Sequence, residues 1–321
     1  MPAPAGKIDV HHHFLPEEYV SALAGIGVTD STGVPFPEWS PKISLELMDK
    51  FGIGAALASI SAPGVYFGDI AFARNLARTC NEASARLVDD HPGRFGAMAV
   101  LPLPDVDASL AELEYAFDTL KLDGVALLSS VDDRYMGDPA YDEVFDELNR
   151  RKAVVFMHPG FAPGGKPRSS LPPSLVEFVF ETTMAVSILL FSGTLERCGD
   201  IRIILPHAGG TIPYIALRLC LGQFWPGLQE SVPQGVMTYL RRLYYDTALS
   251  ASPHTLRSLQ ELVEPSHILF ASDYPFAPEL ATGVTVGGLA DYDGFDEDAL
   301  EWVYRKSALS LFPRLGGTDA A

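Results

Sequence analysis

Eight short apolar runs recur along the chain, at residues 7–13, 52–60, 95–101, 124–129, 153–158, 201–207, 243–247 and 267–273. Most are apolar at consecutive positions, as in Ala153-Val154-Val155-Phe156-Met157. A strand with one wet face alternates instead, so these runs predict parallel strands covered on both sides. Helical spacing fills the intervals. Leu110, Leu113, Phe117 and Leu120 follow Asp105, which reads as an N-cap. Asp138-Pro139 opens a second helix ahead of Tyr141, Val144, Phe145 and Leu148, and Ser40-Pro41 and Ser252-Pro253 repeat the start signal. Long helical stretches fit 70–89 and 174–197, and 295–311 reads as a closing helix.

Eight strands alternating with helices predict a (β/α)8 TIM barrel, as one domain spanning 1–321. An open doubly wound sheet calls for a glycine-rich phosphate loop after its first strand. Here that strand runs into His11-His12-His13-Phe14-Leu15-Pro16. Long loops are expected at 27–39, 161–173 and 274–293, on the C-terminal face of the barrel, where lids and substrate loops sit.

Composition narrows the ligand. Of 321 residues, 23 are Lys or Arg and 41 Asp or Glu, a net charge of -18. That excess argues against nucleic acid and against anionic membranes as partners. It also means that a carboxylate substrate needs local positive charge, which a metal supplies. Cys80, Cys198 and Cys220 have no metal-type spacing and read as small buried residues of a reduced, cytoplasmic protein. Residues 1–6 lack a basic-apolar signal pattern, and the apolar run at 186–191 is too short to span a membrane.

The chemistry falls at strand ends, where barrels carry it. His11 and His13 end the first run and share a face by the two-residue period. His158 ends the fifth, His207 the sixth and Asp273 the eighth. Imidazoles and a carboxylate on one barrel mouth predict a shared site for a divalent metal, zinc first and manganese as the alternative. His12 alternates outward and reads as packing or support. His91, His254 and His267 lie at turns, helix starts or the wrong strand end.

The motifs Ile8-Asp9-Val10-His11-His12-His13-Phe14-Leu15-Pro16, Phe156-Met157-His158-Pro159, Phe191-Ser192-Gly193-Thr194-Leu195-Glu196-Arg197, Leu205-Pro206-His207-Ala208-Gly209-Gly210 and Ile268-Leu269-Phe270-Ala271-Ser272-Asp273-Tyr274-Pro275-Phe276 resemble the amidohydrolase superfamily. The resemblance is to the branch of aminocarboxymuconate semialdehyde decarboxylase and 6-methylsalicylate decarboxylase. It implies His11, His13, His158 and Asp273 as ligands of one metal, with His207 as acid/base or weaker ligand. Related dihydroxybenzoate decarboxylases begin with Glu-x-His, whereas His11 favours the His-x-His branch. The semialdehyde decarboxylase carries an arginine after its first long loop, while residues 40–50 here hold only Lys42 and Lys50. A less charged aromatic acid is therefore expected.

The expected reaction is non-oxidative decarboxylation of a hydroxybenzoate of salicylate or 6-methylsalicylate type. The metal would chelate phenolate and carboxylate, and His207 or Asp273 would protonate the ring carbon. The competing enzyme reading is hydrolysis of a lactone, ester or amide by metal-activated water. Hydration of an unsaturated acid and a silent binding protein on a barrel scaffold stand behind it. Phe14, Trp39, Tyr66, Phe161, Arg168, Phe191 and Phe276 are candidate substrate contacts, Tyr245 and Asp246 candidate supports, and a homodimer is expected from the resemblance.

Overall fold

A computed structural model describes residues 6–316; residues 1–5, read above for a signal pattern, and 317–321 lie outside them. The apolar runs become the strands Lys7–His13, Ile53–Ser59, Phe95–Val100, Gly124–Leu128, Val154–His158, Arg202–Leu205, Tyr244–Asp246 and Ile268–Leu269. They are hydrogen-bonded side by side in chain order, and every neighbouring pair is parallel. The ring closes where the eighth strand meets the first. Val10 N–H donates to Phe270 O at 3.1 Å, Asp273 N–H to His11 O at 2.8 Å and His13 N–H to Tyr274 O at 2.7 Å. These bonds carry the eighth segment past its two regular residues and bring Asp273 beside the first strand.

Both faces of the strands are buried, as consecutive apolar residues require. One set of side chains fills the barrel: Ile8, Val10, Ala55, Leu57, Met98, Ala126, Val154, Phe156, Ile204, Leu269 and Ala271. Ala308, Leu311, Phe312 and Leu315 from the chain's closing segment join this cluster. The alternate set, including Ala56, Val125, Val155, Ile203 and Phe270, packs under the helices. Asp105 caps its helix through Ala108 N at 3.1 Å, and Ser40 caps the helix Pro41–Phe51 through Ile43 N at 3.2 Å. Each cap satisfies a first-turn N–H that has no partner within the helix.

Two of the expected loops contain regular structure. The stretch 27–39 holds a short hairpin, Asp30–Ser31 against Val34–Pro35. Most of 274–293 is the helix Glu279–Ala290, so the loop after the eighth strand is short. Among the described residues, no helix is long and apolar enough to cross a membrane.

Candidate metal centre

The first strand does not alternate strictly. Ile8 and Val10 point into the barrel, so strict alternation would send His12 inward and His11 out. The pairing with the second strand instead shifts between Asp9 and His12, a bulge that changes which side chains face the interior. Asp9 Oδ1 accepts the His11 N–H at 3.2 Å. His11 consequently faces inward beside Val10, with its ring 4.7 Å from that of Phe156, and His13 follows on the same side.

The donors converge closely. His11 Nε2 lies 3.0 Å from His13 Nε2. Asp273 Oδ1 is 3.0 Å from the first nitrogen and 3.2 Å from the second. His158 completes the group, with one ligating atom from each of the four residues within 4.8 Å of the others. All four residues are buried. Donors bound at about 2.0–2.2 Å from one ion stand roughly 3.0–3.5 Å apart, so the closest three already have the separations of a shared coordination sphere.

The opposite ring edges show why these nitrogens are free to ligate. His11 Nδ1 meets Asp246 Oδ2 at 2.8 Å. His13 Nδ1 meets Ser59 Oγ at 3.1 Å and its carbonyl at 3.3 Å, and His158 Nδ1 donates to Pro159 O at 2.7 Å. Each Nδ1 therefore has an acceptor, which places the lone pair on Nε2, toward the shared point. Two buried imidazole nitrogens 3.0 Å apart need a proton or a metal ion to share, and the donor set fits a divalent metal.

Electrostatics point the same way. Burial pulls the His11 imidazolium down, but the charges of Asp273 and Asp246 outweigh it and lift His11 to about 10. Burial holds His13 below the usual histidine range. Burial, reinforced by His13 and His11, holds His158 well below it. Burial would raise Asp273, yet the His11 charge and hydrogen bonds from the histidines keep it well below the carboxylate range. The site is built to stabilise one positive charge.

His207 sits beside this group. Its Nε2 is 3.4 Å from Asp273 Oδ2, and its Nδ1 is buried without a hydrogen-bond partner. His207 and Ala208 both adopt left-handed backbone conformations, φ 54° and 55°, where L-residues other than Gly pay a steric cost. Gly209 and Gly210 continue that left-handed path.

His12 points outward, opposite to His11 and His13, because the bulge reverses the alternation set by Ile8 and Val10. Its Nδ1 meets Asp9 Oδ2 at 3.1 Å and its Nε2 meets Ser44 Oγ at 3.0 Å. The order Asp–His–Ser has the spacing of a nucleophile triad. However, Ser44 is fully buried, and its oxygen also accepts from Trp39 Nε1 at 2.9 Å. Reactant cannot reach it. The arrangement ties the first strand to the helix Pro41–Phe51.

A cavity of about 430 Å³ opens over His158 and Asp273, walled by Val34, Leu175, Phe178, Leu249 and Phe276, with Ser61 at its polar edge. Among the described residues, no Lys or Arg lines it. Of the aromatic candidates, Phe276 is in this wall, 5.6 Å from the His13 ring. Tyr66 and Phe161 line a second cavity, of about 330 Å³, which includes neither His158 nor Asp273. The other four candidates do not line the first cavity. Phe14 is core and packs edge-on against Trp39, Trp39 is held on Ser44, and Phe191 fills the space left by Gly222. Arg168 pairs with Glu181 at 2.8 Å rather than facing the cavity. Glu181, on the helix Glu177–Phe191, thereby satisfies the Arg168 charge.

Sequence reasoning missed Ser61, Phe178 and Leu249. Ser61 has a visible signal, since it follows the second apolar run directly, as His158 ends the fifth. Phe178 and Leu249 carry none, because an apolar wall residue is written like a core residue.

The sequence pattern of the family described as Amidohydrolase matches residues 8–314. A 6-methylsalicylic acid decarboxylase from Penicillium expansum is 36% identical over 317 residues, covering 97% of each chain. A crystal structure described as Amidohydrorolase II superposes with a TM-score of 0.89 at 30% identity, covering 96% of this chain and 99% of the other. A 5-carboxyvanillate decarboxylase from Novosphingobium aromaticivorans, crystallised with manganese and 4-hydroxy-3-methoxy-5-nitrobenzoic acid, shares the fold at TM-score 0.82 and 20% identity, over 96% of both chains.

Proposed function

The chain belongs to the amidohydrolase family, and from that premise we propose that it is a metal-dependent carbon–carbon lyase. Its reaction is the non-oxidative decarboxylation of a hydroxybenzoate of salicylate or 6-methylsalicylate type. The observation that carries this reading is a buried three-histidine, one-aspartate group under a cavity without cationic side chains, in a chain 36% identical to the Penicillium enzyme. A substrate with one carboxylate finds its positive partner at that group, and a second anionic arm would find none. Lys42 and Lys50 do not serve, since they are exposed and paired with Glu46 and Glu279.

His11, His13, His158 and Asp273 would hold one divalent ion. Three imidazoles and a carboxylate suit zinc, and manganese, crystallised with the Novosphingobium protein, is the alternative. When bound, the ion supplies a template and Lewis acid for the substrate's carboxylate and ortho oxygen.

Loss of CO2 directly from the ring would leave an unstable aryl carbanion, so the ring carbon is protonated first. His207 is the donor. Asp273, held ionised by its histidine neighbours, is the orienting partner rather than the acid, and it accepts the Nε2–H of His207. The proton for the ring leaves from His207 Nδ1, the ring atom with no other partner. A carbon–hydrogen bond forms at the carbon bearing the carboxylate. The carbon–carbon bond then breaks, its electron pair restores the aromatic ring, and CO2 departs. His207 recovers its proton from solvent. Phe276, Phe178 and Leu249 hold the ring and exclude water.

The active form is proposed to be a cytoplasmic homodimer of single barrel domains. The three cysteines are free thiols, consistent with a reducing compartment. Tyr214, Leu217, Leu221, Phe224 and Trp225 are exposed along the helix Ile212–Cys220 and the turn after it. Phe180 and Met184 are exposed on the helix Glu177–Phe191, which packs beside it. Arg218 is the one charge in the stretch 212–225. Two strongly acidic copies meet most favourably on a nearly uncharged apolar face.

The test is a product screen on metal-assayed protein, offering salicylate, 6-methylsalicylate, dihydroxybenzoates and simple lactones. CO2 release from a hydroxybenzoate is expected. Turnover of lactones alone would sink the proposal.

A further inference from the structure

The seventh strand ends in a carboxylate that joins two parts of the site. Asp246 is fully buried. Its Oδ2 takes the His11 Nδ1 at 2.8 Å. Its Oδ1 accepts two backbone N–H groups, from His207 at 2.8 Å and Ala248 at 3.0 Å. We propose that Asp246 is a positioning residue that fixes the His11 ring for metal and the His207 backbone for proton transfer as one unit. The His207 half of this proposal rests on the decarboxylase reading above; the His11 half does not.

The chemistry of the partners supports it. His13 and His158 direct their outer nitrogens to neutral oxygens, a serine and a proline carbonyl. Only His11 has a buried carboxylate behind it, which both fixes the Nδ1–H tautomer and makes Nε2 a stronger donor. The same carboxylate secures the peptide N–H of His207, whose left-handed backbone needs a fixed partner to persist. Without that anchor the chain between the sixth strand and Gly210 is free to relax, and the His207 ring moves away from Asp273.

An amide cannot do both tasks. Asn offers one acceptor oxygen, and the two backbone donors hold it on their side. Its NH2 group then faces His11 Nδ1, which must become the acceptor. The ring proton moves to Nε2, the atom that faces His13 and Asp273 at 3.0 Å. In that neutral tautomer Nε2 has no lone pair for the ion, whereas the neutral wild-type ring, with its Nδ1–H on Asp246, keeps one.

The test compares wild type with Asp246→Asn by titrating Zn2+ and Mn2+ against a chelator, with far-UV circular dichroism as the folding control. The proposal predicts unchanged ellipticity and metal affinity weaker by roughly 10–100-fold. Affinity within a factor of two of wild type would overturn it. A measurement without a variant keeps the idea exposed if Asp246→Asn does not fold. In Zn2+-loaded wild type with 15N-labelled histidine, His11 is expected to show a slowly exchanging Nδ1–H and a metal-bound Nε2. Ligation through Nδ1, or no protected Nδ1–H, would refute the assignment. Neither readout needs turnover, so a failed decarboxylase assay leaves both intact. In a variant saturated with metal that does turn over, the His207 half predicts a fall in kcat with little change in KM; the reverse split would contradict it.

Discussion

At the scale of single residues, three adjacent histidines have three different environments. His11 has a carboxylate on each ring nitrogen, His12 an aspartate and a serine, and His13 a serine behind and the metal group ahead. These surroundings set the proton inventory. In the metal-free protein, His11 keeps its proton up to about 10, while His13 and His158 are already neutral. A metal must therefore expel one proton from His11, and affinity should rise about tenfold per pH unit between about pH 7 and pH 8. Chelator competition at those two pH values checks this, and a pH-independent affinity would contradict it. The sign for stability is opposite. A group raised from 6.5 to about 10 stabilises the metal-free fold fully below pH 6.5, and that contribution is lost as pH rises through the folded value. His207 makes a separate prediction. His207→Ala should bind metal like wild type yet turn over roughly 10²–10⁴-fold more slowly, and near-normal turnover would remove it from the mechanism.

At the scale of elements, the site depends on irregularities at regular strand ends. The bulge at Asp9–His12 turns His11 inward, and the left-handed run from His207 to Gly210 turns the sixth strand's histidine toward the eighth strand. Gly210 shows how tight this is. A Cβ there would stand 2.2 Å from Val179 O, and the residue has φ 64°. Gly210→Ala should cost about 1–3 kcal/mol in denaturant unfolding and also slow turnover by shifting His207; an unchanged midpoint would show that the loop yields. The sequence reveals the eight strands because buried parallel strands must be continuously apolar. It also reveals His11, His13, His158, His207 and Asp273, because each is the first ligating group after such a run. It does not reveal the bulge, since Asp9 looks like any strand-edge polar residue until its carboxylate is seen on the His11 and Ser272 N–H groups. The helix Glu279–Ala290 reads as a loop because ELATGVTVGGLA carries three glycines and β-branched residues, which have poor helix propensity; packing overrides that preference. Aromatic contacts were the least legible, because Phe14 in the core and Phe276 in the wall present the same apolar letter.

At the scale of the whole molecule, the acidic surface and the buried cationic site oppose each other. A net charge of -18 repels an anionic substrate at long range, so raising salt should speed capture by screening that repulsion. Increasing ionic strength is expected to raise kcat/KM while leaving kcat nearly constant; a fall in kcat/KM would contradict this. The apolar face around Leu217 and Phe224 makes an independent prediction. Light scattering should give twice the chain mass for wild type and the chain mass for Leu217→Glu with Phe224→Glu, and a monomeric wild type would refute the dimer.

The barrel mouth is proposed to protonate an aromatic carbon and release CO2. The most direct measurement is turnover of 6-methylsalicylate by metal-loaded protein in D2O, with the product read by mass spectrometry and NMR. One equivalent of CO2 and one deuterium, at the ring position that bore the carboxylate, are expected. Unchanged 6-methylsalicylate, together with water uptake into a lactone or ester offered alongside it, would show a hydrolase instead.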